Sequence, residues 1–138
     1  MDKTNIKEMV SKARAAMANA YNPYSHFAVG ACILADDDNL YVGCNAENAS
    51  YRLTICAEQA AVGNMISAGG KQIIEVVIVT DSEKQISPCG ACRQQLLEFA
   101  KPNTKIHMFN KQDQQRTMTM QELLPASFDT TSLPNKES

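Results

Sequence analysis

Three cysteines and one glutamate are the residues of this sequence best suited to chemistry. Cys56 is followed after one residue by Glu58, and Cys89 and Cys92 form a C-x-x-C pair behind Pro88. Both segments stand at predicted helix starts, where free amides and the helix dipole favour thiolate over thiol. Three thiolates suit tetrahedral zinc with one position left for water, which is typical of catalytic rather than structural zinc.

Glu58 has a position that suits proton transfer. It lies two residues after Cys56, and on a helix of 3.6 residues per turn this spacing separates the two side-chain directions by about 200 degrees. We therefore expect Glu58 to act as a general acid and base on water and a leaving group, and not as a metal ligand. Without the cysteines, it would be interpreted as a solvated acid at a helix N-terminus.

The cysteines also permit a non-catalytic interpretation. A lone C-x-x-C pair occurs in structural zinc sites, in redox pairs and by chance. A fourth protein ligand would close the site, and Cys44, His26 and His107 are the candidates. Cys44 and His107 lie in strand-like stretches, where burial in the core competes with ligation. A non-enzymatic binding module stabilised by zinc is therefore an alternative hypothesis.

The composition is that of one folded domain. The chain has 138 residues, of which 44% are hydrophobic and 20% charged. A net charge of -2, a pI near 5.6 and scattered basic residues argue against a polynucleotide partner. The sequence has neither an apolar run of about 20 residues nor a signal-peptide pattern, so we expect a cytoplasmic protein. In that reducing compartment its five cysteines are expected to be ligands or buried apolar residues.

Hydrophobic periodicity predicts helices and strands that alternate after an opening hairpin. Thr54 and Ser87 are the predicted N-caps of the second and third helices, and Thr119 opens a capping box. The pattern indicates an α/β fold, a three-layer α/β/α sandwich with a mixed sheet of about five strands. One domain is expected at residues 1–128 and a flexible tail at 129–138. The predicted helices are 4–21, 54–68 and 87–100, and the predicted strands are 27–34, 40–44, 73–80 and 105–109.

Five ordered motifs resemble the small cytidine deaminases, and the similarity covers residues 21–128. Ligation of zinc by three cysteines, beside a glutamate that is not a ligand, is known among zinc nucleobase deaminases. The resemblance implies a cytidine deaminase-like fold and one zinc per chain. The motifs are Tyr24-Ser25-x-Phe27-x-Val29-Gly30-Ala31, Gly43-Cys44-Asn45-x-Glu47-Asn48-Ala49-Ser50-Tyr51, Cys56-Ala57-Glu58, Pro88-Cys89-Gly90-x-Cys92-Arg93-Gln94 and Glu122-Leu123-Leu124-Pro125.

The resemblance also implies roles outside the metal site. Asn45 and Glu47 match residues that hold the ribose hydroxyls, Phe27 matches one that lies against the nucleoside, and Ala57 matches one whose backbone amide meets the pyrimidine. Small three-cysteine members are usually homotetramers in which the residue matching Phe128 reaches a neighbour's site. From the residues alone, Phe27 is also interpretable as core, Asn45 and Glu47 as turn residues, and the chain as a monomer.

Two positions depart from the family pattern. The hairpin turn is Asp36-Asp37-Asp38-Asn39 where many members have Asp-Gly, and we expect Asn39 to adopt the left-handed conformation in place of glycine. Gln59 stands where three-cysteine members commonly have Arg. Because three thiolates give zinc a net negative ligand shell, another cation is expected to offset the charge. Arg93, with hydrogen bonds to the ligand sulfurs, is the first candidate and Arg52 the second.

The implied activity is hydrolytic deamination of free cytidine and deoxycytidine to uridine and deoxyuridine plus ammonia, a step in pyrimidine salvage. Zinc would activate water for attack at C4, and Glu58 would carry protons. A deaminase of blasticidin-type antibiotics is the alternative enzyme, since it also uses a Cys-Ala-Glu segment and a Pro-Cys-Gly-x-Cys segment. The Asn45-x-Glu47 pair, which suits ribose, favours the nucleoside.

Overall fold

The computed structural model describes residues 3–134. Of the tail predicted at 129–138, residues 135–138 lie outside this range, and the remainder contains a short 3-10 helix capped by Asp129. The elements are α1 (Lys3–Met17), β1 (Val29–Ala35), β2 (Leu40–Cys44), a 3-10 helix (Tyr51–Leu53), α2 (Ala57–Ser67), β3 (Ile73–Thr80), α3 (Gly90–Phe99), β4 (Lys105–Phe109), β5 (Gln115–Thr119), α4 (Met120–Leu123) and a 3-10 helix (Thr130–Ser132).

The five strands form one mixed sheet in the order β2-β1-β3-β4-β5. The β3–β4 pair is parallel, and the other neighbours are antiparallel. β3 lies at the centre, as its nearly continuous β-branched sequence predicts, because both of its faces are covered. The mixed α/β fold predicted from the sequence is therefore confirmed.

Side chains alternate between two apolar layers, one on each face of the sheet. Val77 and Val79 pack with Met9 and Ala13 of α1. Their neighbours on β3, Val76 and Ile78, face the opposite cluster, which includes residues of α2, α3 and α4. This period of two on a central strand, with helices on both sides, gives the three layers of the predicted sandwich.

The end of α1 and the start of α2 differ from the sequence prediction. α1 ends at Met17, and Tyr21 instead makes an isolated bridge with Ala46. Thr54 does not cap α2, because its hydroxyl accepts a hydrogen bond from the Asn48 amide, 3.1 Å away, and Cys56 is the N-cap. Apolar spacing that continues past Met17 misplaced the end of α1, and the capping potential of the Thr54 hydroxyl misplaced the start of α2.

The third helix also begins later than predicted. Ser87 and Pro88 precede α3, whose N-cap is Cys89. The Ser87 hydroxyl accepts a hydrogen bond from Arg93 Nη2 at 2.8 Å instead of capping the helix. The predicted capping box at Thr119 and Glu122 is confirmed at the start of α4.

Two features of the sheet were not predicted correctly. The left-handed residue of the β1–β2 turn is Asp38, with φ of 65°, and not Asn39. The Asn39 amide instead donates to the Asp37 carboxylate at 3.0 Å. β5 was missed because it is a mostly exposed edge strand, which lacks the apolar alternation of a buried one.

Gly43 on β2 allows α2 to approach the sheet closely. A Cβ at this position would lie 2.5 Å from the Ala57 carbonyl oxygen and from the Ala61 amide nitrogen. Glycine therefore fixes the first turn of α2, which carries Glu58, directly against the sheet. Among residues 3–134, no helix has the length and apolar character required to cross a bilayer.

Candidate metal centre and active-site pocket

Three thiols converge where two helices begin. Cys56 is the N-cap of α2, Cys89 is the N-cap of α3, and Cys92 follows in the first turn of α3. Their sulfur atoms all lie within 4.8 Å of one another. Since the free amides of both helix N-termini surround this point, their partial positive charge favours the thiolate form.

The donor set fits zinc with an open coordination position. In the described part of the chain, no other His, Cys, Asp or Glu side chain joins the group of Cys56, Cys89 and Cys92. Cys44 and His26 are not in the group. His107 is buried on β4, where Nε2 lies 2.5 Å from Glu75 Oε2 and Nδ1 lies 2.8 Å from the Thr117 hydroxyl. Three sulfurs without a fourth protein ligand are the arrangement of a catalytic zinc.

The acidities of the cluster reflect its crowding. The Cys92 thiol, which donates a hydrogen bond, lowers the pKa of Cys56 to about 6. The same hydrogen bond to Cys56, with burial, raises the pKa of Cys92. Burial raises the pKa of Glu58 to about 7, and its carboxyl group is almost wholly removed from water. Burial therefore favours the protonated form of Glu58, and its place in the pocket beside the thiols suits a general acid and base.

A pocket of about 370 Å³ connects the thiols with the predicted substrate residues. Its walls are largely apolar, with a few polar groups, which is typical of small-molecule sites. The structure thus brings together the predicted catalytic, metal and substrate residues apart from Phe128. The predicted residues that line it are Phe27, Asn45, Glu47, Cys56, Ala57, Glu58, Cys89 and Cys92.

Asn45 and Glu47 organise the segment that carries Phe27. Asn45 Oδ1 accepts from the Val29 amide at 2.9 Å, and its Nδ2 donates to the Phe27 carbonyl oxygen at 2.8 Å. The Glu47 carboxylate accepts from the amides of Tyr24 and Ser25, each at 3.0 Å, and from the Ser25 hydroxyl. The polar pair therefore supports the pocket wall in addition to facing the pocket.

Ala57 and Phe128 have opposite environments. Ala57 is fully buried at the first position of α2, so its backbone amide has no acceptor within the helix and lies at the pocket. Phe128 does not line the pocket of the single chain, and its residue surface is 60% exposed. Its carbonyl oxygen accepts a hydrogen bond from Gln94 Nε2 at 2.8 Å.

Arg93 does not make the predicted hydrogen bonds to ligand sulfurs. Its guanidinium donates to the Pro88 carbonyl oxygen at 2.8 Å, to the Leu123 carbonyl oxygen at 2.6 Å and to the Ser87 hydroxyl. Its fork geometry instead joins the loop before Cys89 to the end of α4. Arg52 is exposed in the first 3-10 helix.

Ser25 and Thr80 also line the pocket, although neither was predicted to belong to the site. Ser25 belongs to the Tyr24–Ala31 motif, so the signal was present. Thr80 ends β3 in the same alternating series as Val76 and Ile78. A polar residue that closes an apolar strand at the carboxyl end of the sheet is the signal that would have found it.

Comparison with known proteins identifies the family. Residues 3–108 match the model of the cytidine and deoxycytidylate deaminase zinc-binding region. The chain is 40% identical over 120 residues to a cytidine deaminase of Halalkalibacterium halodurans, a match that covers 87% of this chain and 91% of the relative. It is 37% identical to one of Sporosarcina psychrophila, covering 90% and 91% respectively. The chain belongs to the cytidine deaminase family.

Solved structures of cytidine deaminases share the fold. The crystal structure of the Burkholderia pseudomallei protein gives a TM-score of 0.85 at 37% identity, covering 93% of this chain and all of that one. The Mycobacterium tuberculosis structure gives 0.77 at 38% identity, with 93% and 98% covered. The protein is accordingly a zinc-dependent enzyme of the cytidine deaminase family, and its cluster of three cysteines fits the zinc site.

Proposed function

We propose that the protein deaminates cytidine and deoxycytidine by hydrolysis, giving uridine and deoxyuridine plus ammonia. The observation that carries the proposal is one pocket with three clustered thiols, a buried Glu58 and the Asn45-x-Glu47 pair. The first two groups suit hydrolysis of an amino-pyrimidine, and the pair suits a nucleoside with a polar sugar. This reaction is a step of pyrimidine salvage, which is the physiological role that we propose.

Each residue has a defined part in the proposed reaction. Zinc, when bound by Cys56, Cys89 and Cys92, supplies Lewis acidity that lets water deprotonate near neutral pH. Glu58 accepts a proton from the water and gives it to N3 of the pyrimidine. It then accepts the remaining proton of the hydroxyl group left on C4 and delivers it to the departing amino group, so that C4 keeps a carbonyl oxygen and ammonia leaves. Burial raises the pKa of this carboxyl group, which favours the return of each proton to the substrate, so one side chain serves both transfers. Ala57 offers its backbone amide to the ring, and Phe27 lies against the nucleoside.

The charges around the pocket favour a free nucleoside over a nucleotide. In the described residues, Glu47 and Glu58 are the charged side chains that line it other than the cysteines, and no Lys or Arg does. An adjoining pocket of about 320 Å³ is lined by Tyr24, Tyr51 and Glu47, again without a cation. A phosphate would meet a carboxylate here, whereas phosphate sites use Arg, Lys or free amides.

A substrate panel tests this proposal. Cytidine, deoxycytidine, deoxycytidylate, cytosine, blasticidin S and single-stranded DNA are offered to the zinc-loaded enzyme, and loss of the cytosine absorbance band is followed. We expect the two nucleosides to have the highest kcat/KM. A preference for the antibiotic, the nucleotide or the polynucleotide would overturn the substrate assignment, although not the family.

Glu58→Gln tests the proton path. The amide has nearly the shape of the carboxyl group but does not accept and return the proton, so kcat should fall by at least about 10²- to 10⁴-fold. Zinc content and the thermal unfolding midpoint should remain near those of the wild type. Gln59→Glu, beside it on the exposed face of α2, is the control for an altered charge in the same turn. Normal turnover in Glu58→Gln would refute the assignment of Glu58.

We further propose that the enzyme is cytoplasmic and a homotetramer. Five free cysteines fit a reducing compartment. Tyr21, Tyr24, Tyr51 and Phe128, which are at least 58% exposed, supply aromatic surface of the kind that subunit interfaces bury. In the tetramer, Phe128 of one chain would contact the nucleoside bound by another.

A further inference from the structure

Thr80 lies in the substrate pocket at the end of the central strand. Its residue surface is 2% exposed, and it lines the pocket with Ile78 and Val29. On β3 it follows Val76 and Ile78, which face the layer of α2 and α3. Because side chains alternate along a strand, Thr80 points to the face on which the cysteine cluster is built.

The Thr80 hydroxyl has no hydrogen-bond partner. Among residues 3–134, Oγ1 of Thr80 is the single buried side-chain nitrogen or oxygen in this condition. Other buried polar side chains are bonded: Asn45 joins two backbone groups, and Asn110 joins Glu83 and Gln114. A buried hydroxyl left unpaired destabilises a fold, so such a group in a ligand pocket indicates a role in binding.

The backbone of Thr80 is held in place at the end of the central strand. Thr80 pairs with Val29 of β1, and its carbonyl oxygen accepts a hydrogen bond from Arg14 Nη1 at 3.1 Å. The Oγ1 atom itself is shielded from solvent, so a rotation about χ1 presents it to a ligand in the pocket. A β-branched side chain on a strand has few χ1 states, so little conformational entropy is lost when the ligand holds one of them. By contrast, Asn45 and Glu47 already use several of their polar atoms on the backbone of the Phe27 segment.

We propose that the Thr80 hydroxyl forms a hydrogen bond to the bound pyrimidine nucleoside and is a substrate-binding residue of this enzyme. The inference rests on the proposed function, because a nucleoside must be the occupant of the pocket. A hydroxyl both donates and accepts, so it can bond the pyrimidine edge before and after the amino group is replaced by a carbonyl oxygen. Thr80 therefore contributes to affinity for substrate and product.

Comparing four side chains at position 80 distinguishes the contribution of the hydroxyl to binding from that of the methyl group. Thr80→Val removes the hydroxyl, Thr80→Ser removes the methyl group, and Thr80→Ala removes both. The wild type against Val, and Ser against Ala, thus form two pairs that differ in the hydroxyl. Uridine binding to the zinc-loaded enzyme is measured by calorimetry, which does not depend on turnover, and unfolding is measured without nucleoside.

We expect the Thr80→Val enzyme to bind uridine about three- to tenfold more weakly than the wild type does. The Thr80→Ala enzyme should bind uridine more weakly than the Thr80→Ser enzyme by a similar factor. Without nucleoside, Val should unfold at or above the wild-type temperature, because it removes an unpaired buried group. Equal affinities within the pairs would overturn the proposal, as would a Val enzyme that loses stability and affinity together. If Val does not fold, the Ser and Ala pair decides.

The outcome for the wild type separates this inference from the proposed function. Cytidine turnover with equal uridine affinities in each pair would leave the deaminase assignment intact and refute the role of Thr80. A wild-type enzyme that neither binds uridine nor consumes cytidine would refute the nucleoside substrate, and the role of Thr80 with it.

Discussion

At the residue scale, the exposure of Cys89 makes it the most direct test of the metal centre. Cys89 is exposed, so its replacement perturbs packing little, whereas Cys92 is buried. We predict that Cys89→Ser loses most of its zinc because a neutral hydroxyl is a poor ligand. Cys44→Ser, the same chemical change at the end of β2, should retain about one zinc per chain.

Metal content after gel filtration, measured by plasma mass spectrometry, distinguishes these outcomes. His107→Ala should also keep zinc, since its ring is bonded to Glu75 and Thr117. Loss of zinc from Cys44→Ser or His107→Ala, with the fold retained, would favour a closed structural site. That result would revive the interpretation as a binding module.

The Glu47 carboxyl group gives a prediction about pH. Hydrogen bonds from the Ser25 hydroxyl, and then from backbone amides, hold the pKa of Glu47 below its ordinary value of 4.5. A folded-state pKa below the unfolded one stabilises the fold above about pH 4.5, and this stabilisation is lost as pH falls through the folded pKa. The advantage of the wild type over Ser25→Ala should therefore shrink as pH drops below 4.5.

Two measurements test this prediction. Carbon-detected NMR should show the Glu47 carboxyl group titrating at a higher pH in Ser25→Ala than in the wild type. The difference between the two unfolding midpoints should narrow over the same pH range, and taking a difference removes the acid release of zinc common to both proteins. An unchanged Glu47 titration would mean that the Ser25 hydroxyl does not lower the pKa of this carboxyl group.

At the element scale, Arg93 connects the loop before α3 to α4. Its hydrogen bonds to Pro88 and Leu123 hold the backbone beside Cys89, so Arg93→Gln should destabilise the fold by about 2 kcal/mol and release zinc to a chelator faster. Arg93→Lys keeps the charge and loses the fork. If the hydrogen-bond geometry of the guanidinium matters most, the Arg93→Lys protein should resemble the Arg93→Gln protein. If the positive charge matters most, the Arg93→Lys protein should resemble the wild type.

Gln59→Arg is the control for added charge near the cluster. Gln59 is exposed on α2, where an Arg adds a cation without altering packing, so we expect neutral or mildly improved zinc retention. Thermal unfolding and the rate of zinc transfer to a chelator measure both sets of variants. Wild-type values for Arg93→Gln in both assays would show that these hydrogen bonds do not support the metal centre.

Elements with strong local signals were predictable from sequence. β3 and β4 have the predicted bounds, because β3 is an apolar, β-branched run that requires burial and four of the five residues of β4 are buried. The starts of α2 and α3 were misplaced, because Cys56 and Cys89 are N-caps whose thiols make no capping hydrogen bond. Residue type therefore gave no cap signal, and Thr54 and Ser87 were chosen instead. Edge strand β5 has little buried surface and so little pattern.

The site was predictable to the extent that it follows from spacing. Cys56, Cys89 and Cys92 converge because α2 and α3 begin beside each other, with Cys56 and Cys89 as N-caps and Cys92 in the first turn of α3, and the sequence predicted both segments at helix starts. The partners of Arg93 were not predictable, since Leu123 is distant in sequence and is brought close by tertiary packing. The unpaired state of the Thr80 hydroxyl was not predictable either, because it depends on the positions of all the surrounding groups in the folded chain.

At the scale of the whole molecule, apolar side chains are exposed in the segments that flank the pocket. Tyr51 is 92% exposed and Leu53 is 63% exposed in the first 3-10 helix, near Tyr24 in the adjoining pocket. Phe128 and Leu133 are exposed near the end of the described chain. Exposed aromatic and aliphatic side chains such as these are suited to a protein–protein contact.

We therefore expect assembly and substrate binding to be linked through Phe128. Light scattering should give a mass of about four chains of 15.1 kDa each. In Phe128→Ala, loss of one aromatic contact of roughly 1 kcal/mol should raise KM about fivefold, with kcat and zinc content little changed. Ile74→Ala, an exposed apolar residue on β3 that lines a different pocket, is the control and should leave KM unchanged. Phe128 does not line the pocket of its own chain. If the active enzyme is a monomer, no neighbouring chain supplies Phe128 to the pocket, and the proposed role of Phe128 is excluded.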